Sequence, residues 1–332
     1  MTIENLALFA LNATRDFGER VAAKLAVPLT EHEEREFEDG EHKARPLVSI
    51  RAKDAYIIQS LYSDDRQSVN DKLCRLLFFA GAVRDAAAGR VTAVIPYLAY
   101  ARKERKTQPR DPVTTRYVAL LIEAVGVERM VTMDVHNLAA FQNAFRCRTE
   151  HLEANPLFLR HLLPELGNSA QIVVVSPDVG GIKRAERFRE ALARALKQEV
   201  PGAFVEKSRA KGAVSFGRLI GDVRGSIVVI LDDLISTGST LVNAAKACKD
   251  KGATRVYAAA SHGLFVGHAN EVLATDELDR VIVTDTVPAF RLDRELVKRK
   301  VVVLSAAALF AEAIKRLHTG GSLVELSQTG RS

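Results

Sequence analysis

Residues 226–240 read SIVVILDDLISTGST, and this stretch decides how the chain is understood. Its first half is an apolar, β-branched run, which predicts a strand buried on both faces. Asp232 and Asp233 close that run, and a small turn of hydroxyl residues and glycine leads into a helical pattern over 239–250. A buried strand passing directly into a helix is the repeating unit of a parallel α/β sheet, whose ligands bind beyond the carboxyl ends of the strands. The turn suits an anion. Backbone N–H groups at a helix opening hold phosphate, Ser236, Thr237, Ser239 and Thr240 add hydroxyl donors, and Gly238 lets the backbone approach closely. Asp232 and Asp233 suit vicinal sugar hydroxyls or a metal-bound sugar diphosphate. The plainer alternative is that the acids only finish the strand while Thr237 starts the helix. Neither G-x-x-x-x-G-K-[ST] nor G-x-G-x-x-G occurs in the chain, so any nucleotide binds in another way.

The same alternation extends outward in both directions. Apolar runs at 55–59, 91–97, 129–136, 171–179, 255–262, 280–287 and 300–305 read as strands, and 71–88, 114–125 and 183–197 carry apolar residues at helical spacing. At roughly 150 residues per domain, 332 residues make two domains. Thr114, Gly126, Arg129 and His136 match Thr240, Gly252, Arg255 and His262 at a constant offset of 126 residues, which predicts a duplicated architecture. The junction is expected within 148–165, where EHLEANPLF sets polar residues and a proline between periodic segments. The expectation is therefore an α/β protein of two similar domains, 1–154 and 155–332, each a mostly parallel sheet flanked by helices. Residues 61–68 and 201–221 read as loops, the second long enough for a lid.

Composition narrows the function. Hydrophobic residues at 47% and charged residues at 27% are those of a folded globular protein, and no apolar run reaches the roughly 18 residues that cross a bilayer. The opening MTIENLALFALNATRDF has no basic segment ahead of its apolar stretch, which predicts a cytoplasmic protein without a targeting segment. Three widely separated cysteines, Cys74, Cys147 and Cys248, form neither a disulfide framework nor a C-x-x-C metal site and are expected to be buried thiols. A formal charge of +6 favours anionic partners. With no Trp and only 6% aromatic residues, platforms for single-stranded nucleic acid are few, so small phosphates are the better match.

ILDDLISTGST resembles the phosphoribosyl-diphosphate loop of type I phosphoribosyltransferases and ribose-phosphate diphosphokinases. The remaining motifs choose the second family: IPYLAYARKERKTQPRDPVT at 95–114, TMDVH at 132–136, VVVSPDVGG at 173–181, IGDVRG at 220–225 and SHGLFVG at 261–267 resemble it in order and spacing. FEDGE at 37–41 and SVNDKL at 68–73 extend the likeness over nearly the whole chain. The resemblance implies two phosphoribosyltransferase-like domains and Mg²⁺-dependent transfer of the β,γ-diphosphoryl group of ATP to the anomeric hydroxyl of ribose 5-phosphate. The products would be 5-phosphoribosyl 1-diphosphate and AMP.

It also implies roles for single residues. His136 and Asp178 would help hold Mg²⁺ at the triphosphate, Arg102 and Lys103 would reach ATP, and Phe37, Asp39 and Glu41 of a neighbouring subunit would hold the adenine. Asp232, Asp233 and the Ser236 to Thr240 turn would bind ribose 5-phosphate. Lys207 and Arg209, in EKSRAKG, would stabilise transition-state charge from a mobile loop. Homo-oligomers, dimers or hexamers, are implied as well. Taken alone, each of these residues has a plainer reading: a structural histidine, a turn acid, a solvated basic run or exposed cations on a loop. Lys103 stands where Gln is common, Ser236 where Asp is, and Ser239 where Gly is. Ala87 and Ala308 replace a usual Ser and Pro near the presumed regulatory site, so phosphate activation is expected to be altered or absent. A non-catalytic regulatory paralogue and a phosphoribosyltransferase are the rival readings.

Overall fold

The computed structural model describes residues 5–166, 171–206, 209–210, 213–214 and 217–328. The chain opens with β1 (Leu6–Ala10), α1 (Arg15–Leu25), the hairpin β2 (His32–Glu36) and β3 (His42–Pro46), β4 (Asp54–Ile58), α2 (Val69–Asp85) and β5 (Arg90–Ile95). There follow α3 (Thr114–Ala124), β6 (Arg129–Met133), α4 (Leu138–Ala144), β7 (Arg148–Leu152), α5 (Asn155–Leu166), β8 (Ile172–Ser176) and α6 (Ile182–Leu196). Next come β9 (Gly202–Glu206), β10 (Arg209–Ala210), β11 (Ala213–Val214), β12 (Arg218–Ile220), β13 (Ile227–Ile235), α7 (Ser239–Asp250) and β14 (Arg255–Gly263). The chain closes with α8 (Ala269–Leu273), β15 (Arg280–Thr284), α9 (Arg294–Lys300), β16 (Val301–Leu304), α10 (Ala307–Thr319) and α11 (Leu323–Gln328).

Two compact units result, one built on the residues up to Glu153 with Ala306–Ser327, the other on Ala154–Ser305. The first holds a parallel sheet in the order β1-β4-β5-β6-β7. The second holds β12-β9-β8-β13-β14-β15-β16, parallel apart from the β12–β9 pair. The inner strands are buried along their whole length, as in β4, β6 and β8, which is what helices on both faces of a parallel sheet require. Local signals start and stop the helices. Ser68 and Asp71 form a reciprocal capping box on α2, while Gly126 and Gly252, at φ +87° and +90°, end α3 and α7 in a conformation that glycine adopts without strain.

The duplication is present, but in a different register from the one the 126-residue offset implies. Chain order equates β1-β4-β5-β6-β7 with β8-β13-β14-β15-β16, so β6 corresponds to β15 and not to β14. A helix leading into a buried strand is common to every αβ step of such a sheet, and a glycine stop to several of them, so identities collect between steps that are not equivalent. The equivalent last strands, β7 and β16, carry a better match: Leu152, Ala154, Leu157 and Phe158 repeat as Leu304, Ala306, Leu309 and Phe310. In each half the helix after that last strand belongs to the other unit. α5 packs with α6 in the second unit, and α10 packs with α1 in the first.

This corrects the division at 154/155, because residues from 306 onward do not stay with the second unit. The cause is burial: Phe310 is fully buried with its ring edge-to-face on Phe17, 5.5 Å between centroids, and His318 pairs with the Asp54 carboxylate at 2.8 Å. The stretch 201–221 is likewise not a plain loop. Gly202–Glu206 alternates exposed and buried side chains as a strand paired on one side with β8 and on the other with the edge strand β12, a five-residue pattern too short to stand out beside a proline and a glycine. Of the three thiols only Cys248 is buried; Cys147 is half-buried, and Cys74 lies on the outer face of α2. No helix among the described residues is long and apolar enough to cross a membrane.

Candidate active site

In the second unit, the carboxyl ends of the neighbouring strands β8 and β13 carry the two acidic motifs. After β8, Asp178 turns the chain: its Oδ1 accepts the Gly181 N–H at 3.1 Å, and the Ser176 hydroxyl donates to the Asp178 carbonyl at 2.6 Å. Gly181 is required by space, since a Cβ there would stand 2.7 Å from the Ser176 hydroxyl oxygen. The tight turn aims the first turn of α6 at the end of β13. Arg184 thereby reaches both acids, with Nη1 3.4 Å from Asp232 Oδ1 and 3.3 Å from Asp233 Oδ1.

Asp233 is buried, and its N–H donates to Asp232 Oδ1 at 2.9 Å. Burial first, and the charge of Asp233 second, push the Asp232 carboxyl well above the usual carboxylate range, while the Arg184 guanidinium opposes both. Such a pair accepts hydrogen bonds from hydroxyls and can hold a proton near neutral pH. Sequence reasoning missed Arg184, which sits in the basic helical stretch IKRAERFRE and there looks like a solvated face. The available signal was its place one turn after SPDVGG.

Beyond the acids, Gly238 takes φ +86°, and a Cβ on it would lie 2.8 Å from Leu273 Cδ2, so conformation and packing both call for glycine. The turn rests on the segment after β14. The Leu264 and Phe265 N–H groups donate to the Ile235 carbonyl at 2.9 and 3.2 Å, and the Val266 N–H donates to the Ser236 carbonyl at 2.9 Å. Arg291 in turn holds that segment by donating to the Leu264 carbonyl at 2.7 Å. The Thr237 and Ser239 hydroxyls are 3.1 Å apart, and the 12-residue helix α7 begins at Ser239. Ser236, Thr237, Ser239 and Thr240 therefore ring an N-terminal helix turn whose first N–H groups have no intrahelical acceptor. The arrangement can hold a dianion against the helix dipole.

In the first unit, Arg102 and His136 follow the neighbouring strands β5 and β6, and both are exposed. β6 ends at Met133, so His136 stands three residues past the strand and does not close it. Its loop is fixed: the Asp134 N–H donates to the Leu152 carbonyl at 3.0 Å, and the Val135 N–H to His151 Nε2 at 3.3 Å. Lys103 is engaged with Asp111. Phe37, Asp39 and Glu41 form the exposed turn of the β2–β3 hairpin, where Phe37 is 41% exposed with the Arg35 guanidinium 5.1 Å from its ring centre. Lys207 lies outside the described residues, and Arg209 falls on the short strand β10. His262, the repeat partner proposed for His136, is buried inside β14 and bonds to the Thr286 hydroxyl at 2.8 Å.

A two-unit parallel α/β protein with a glycine-hinged turn of hydroxyl residues between a central strand and a helix is the class that this fold and site define. Residues 6–126 match the model described as the N-terminal domain of ribose phosphate pyrophosphokinase, and 194–328 match the phosphoribosyl synthetase-associated domain. A ribose-phosphate pyrophosphokinase of Caldanaerobacter subterraneus subsp. tengcongensis is 39% identical over 97% of this chain and 98% of its own. One from Pasteurella multocida is 37% identical over 96% and 98%. The crystal structure of phosphoribosylpyrophosphate synthetase from Mycobacterium smegmatis superposes with a TM-score of 0.86, at 32% identity, over 96% of this chain and all of that one. The chain belongs to the ribose-phosphate pyrophosphokinase family, enzymes of nucleotide biosynthesis that are transferases.

Proposed function

We propose that this enzyme transfers the β,γ-diphosphoryl group of ATP to the anomeric hydroxyl of ribose 5-phosphate, giving 5-phosphoribosyl 1-diphosphate and AMP. The observation that carries the reading is the 232–240 segment: a buried acid pair held by Arg184, followed directly by a glycine-hinged ring of hydroxyls at a helix N-terminus. The hydroxyls and helix N–H groups take the 5-phosphate, and Asp232 and Asp233 accept from the ribose hydroxyls, which orients the anomeric oxygen. Arg102 and Lys103 serve ATP, and Phe37, Asp39 and Glu41 of a neighbouring subunit hold its adenine through stacking and carboxylate acceptance. The protein then acts as a homo-oligomer, dimer or hexamer, in the cytoplasm, without nucleic acid or membrane as partner.

The reading includes Mg²⁺. This ion keeps most of its water and takes one or two protein donors beside substrate phosphates, and Asp178, its carboxylate braced on Gly181, is a donor of that kind with His136 as the second. No cluster of three or more acidic, histidine or cysteine ligands occurs among the described residues, which fits a hydrated ion better than a protein cage. When bound, Mg²⁺ neutralises charge on the phosphate oxygens. Lys207 and Arg209 supply further positive charge as the bond to the departing AMP breaks. The test is mass spectrometry of products from ATP, ribose 5-phosphate and Mg²⁺. AMP and phosphoribosyl diphosphate in equal amounts are expected, and neither product from a folded preparation would sink the proposal.

A further inference from the structure

One carboxylate closes the loop between β5 and α3. Asp111 Oδ2 accepts from the Lys103 ammonium at 2.5 Å, the Thr107 hydroxyl at 2.8 Å, and the Thr107 and Gln108 N–H groups at 2.9 Å each. Lys103 also donates to the Thr107 hydroxyl at 3.0 Å, and the Asp111 N–H returns a bond to the Gln108 carbonyl at 3.2 Å. Both ends of the loop are anchored. The buried Thr115 donates its hydroxyl to the Tyr100 carbonyl at 2.7 Å and its N–H to the Lys103 carbonyl at 3.4 Å, and the Tyr100 hydroxyl bonds to Asn70 on α2. Tyr100 and Arg110 hold φ +63° and +67°, unusual for residues with a Cβ, so the backbone conformation is imposed by these contacts.

The consequence is a division of labour among the cations of ARKERKTQPR. Lys103 has its charge balanced inside the loop, and Lys103 foremost, with Thr107, holds the Asp111 carboxyl far below the usual carboxylate range. Arg102, Arg105 and Arg110 stay exposed. An ammonium already paired at contact distance presents little net field to a polyphosphate farther away. We propose that Lys103 and Asp111 are positioning residues, whose ion pair frames the loop and sets Arg102 for the nucleotide phosphates while Lys103 itself makes no phosphate contact. This rests on the diphosphokinase reading above, and it reassigns Lys103 from ligand to strut.

The test uses the full chain with Lys103→Gln, Asp111→Asn and the double variant, each assayed for KM of ATP, KM of ribose 5-phosphate and kcat. Losing a charge-assisted bond in the frame is expected to raise KM for ATP about tenfold in either single variant. KM for ribose 5-phosphate should stay unchanged, and the double variant should be no worse than the weaker single one. A direct phosphate ligand behaves differently: Asp111→Asn would leave ATP binding intact or tighter, and the two effects would add. Either result overturns the proposal. Trypsin nicking after Arg105, Lys106 and Arg110, measured without substrates, reads the frame independently of activity. It should quicken about tenfold in both single variants, and unchanged nicking in an active enzyme overturns the strut alone. A wild-type chain that releases no AMP overturns the functional reading and, with it, the role toward the nucleotide.

Discussion

Replacing Arg184 by Met keeps a long helix-forming side chain while deleting the cation between two carboxylates. In the native unit its Nη1 stands 3.3 Å from Asp233 and 3.4 Å from Asp232, and the three side chains are only 12%, 4% and 19% exposed. Removing one partner of a buried ionic cluster costs about 3–5 kcal/mol, and the partial exposure of Asp232 argues for the lower figure, about 3 kcal/mol. At about 2–4 °C per kcal/mol for a unit of this size, Tm should fall by about 6–12 °C. The loss must also depend on pH. Burial and the neighbouring acid already raise the Asp232 pKa, and without the guanidinium it rises further. A carboxyl whose folded pKa exceeds its unfolded value contributes stability that is fully present below the unfolded pKa and is lost as pH rises through the folded one. The deficit should therefore be smallest in mild acid and grow towards alkaline pH. Thermal unfolding of the full chain by circular dichroism, at about pH 5.5 and about pH 8.5, measures both. Adding Asp233→Asn to the variant should recover most of the loss at the higher pH, because it removes the second buried charge. A deficit equal at both pH values, or below about 1 kcal/mol, would refute the assignment of Arg184 as counter-charge of the pair.

Gly238→Ala forces a Cβ into a left-handed residue and to 2.8 Å from Leu273 Cδ2, so it should cost about 1–2 kcal/mol of stability and weaken ribose 5-phosphate binding; calorimetric titration showing native affinity would count against the turn as the sugar-phosphate site. Lys207→Ala should lower kcat by at least about 10³ while ribose 5-phosphate still binds, and near-normal turnover would remove this lysine from the mechanism. Phe310→Ala empties a fully buried ring site against Phe17 and should cost about 3–5 kcal/mol in chemical denaturation. A loss under about 1 kcal/mol would show that α10 is not part of the core of the first unit.

The alternation of strand and helix, and the turn at 232–240, were legible because both depend on neighbours a few residues apart: buried β-branched runs, helical spacing, and a glycine among hydroxyls at a helix start. The family likeness rested on the same local motifs. What lay beyond the sequence depended on contacts across the chain. Arg184 meets Asp232 48 residues away, and His318 meets Asp54 at a separation of 264, distances over which no periodicity carries information. Lys103 shows the same limit at short range. A lysine in a basic run reads as one more cation for a phosphate until the loop closes on Asp111 and balances its charge. The repeat register and the ownership of α10 were settled by sheet order and by the burial of Phe310, because identical local steps recur throughout a parallel sheet and only packing distinguishes them. Sequence by itself determined the kind of layers and which residues stand at one strand end; the tertiary structure decided which charges meet, since opposite charges hold one another only where folding brings them within a few ångströms and removes the water between them.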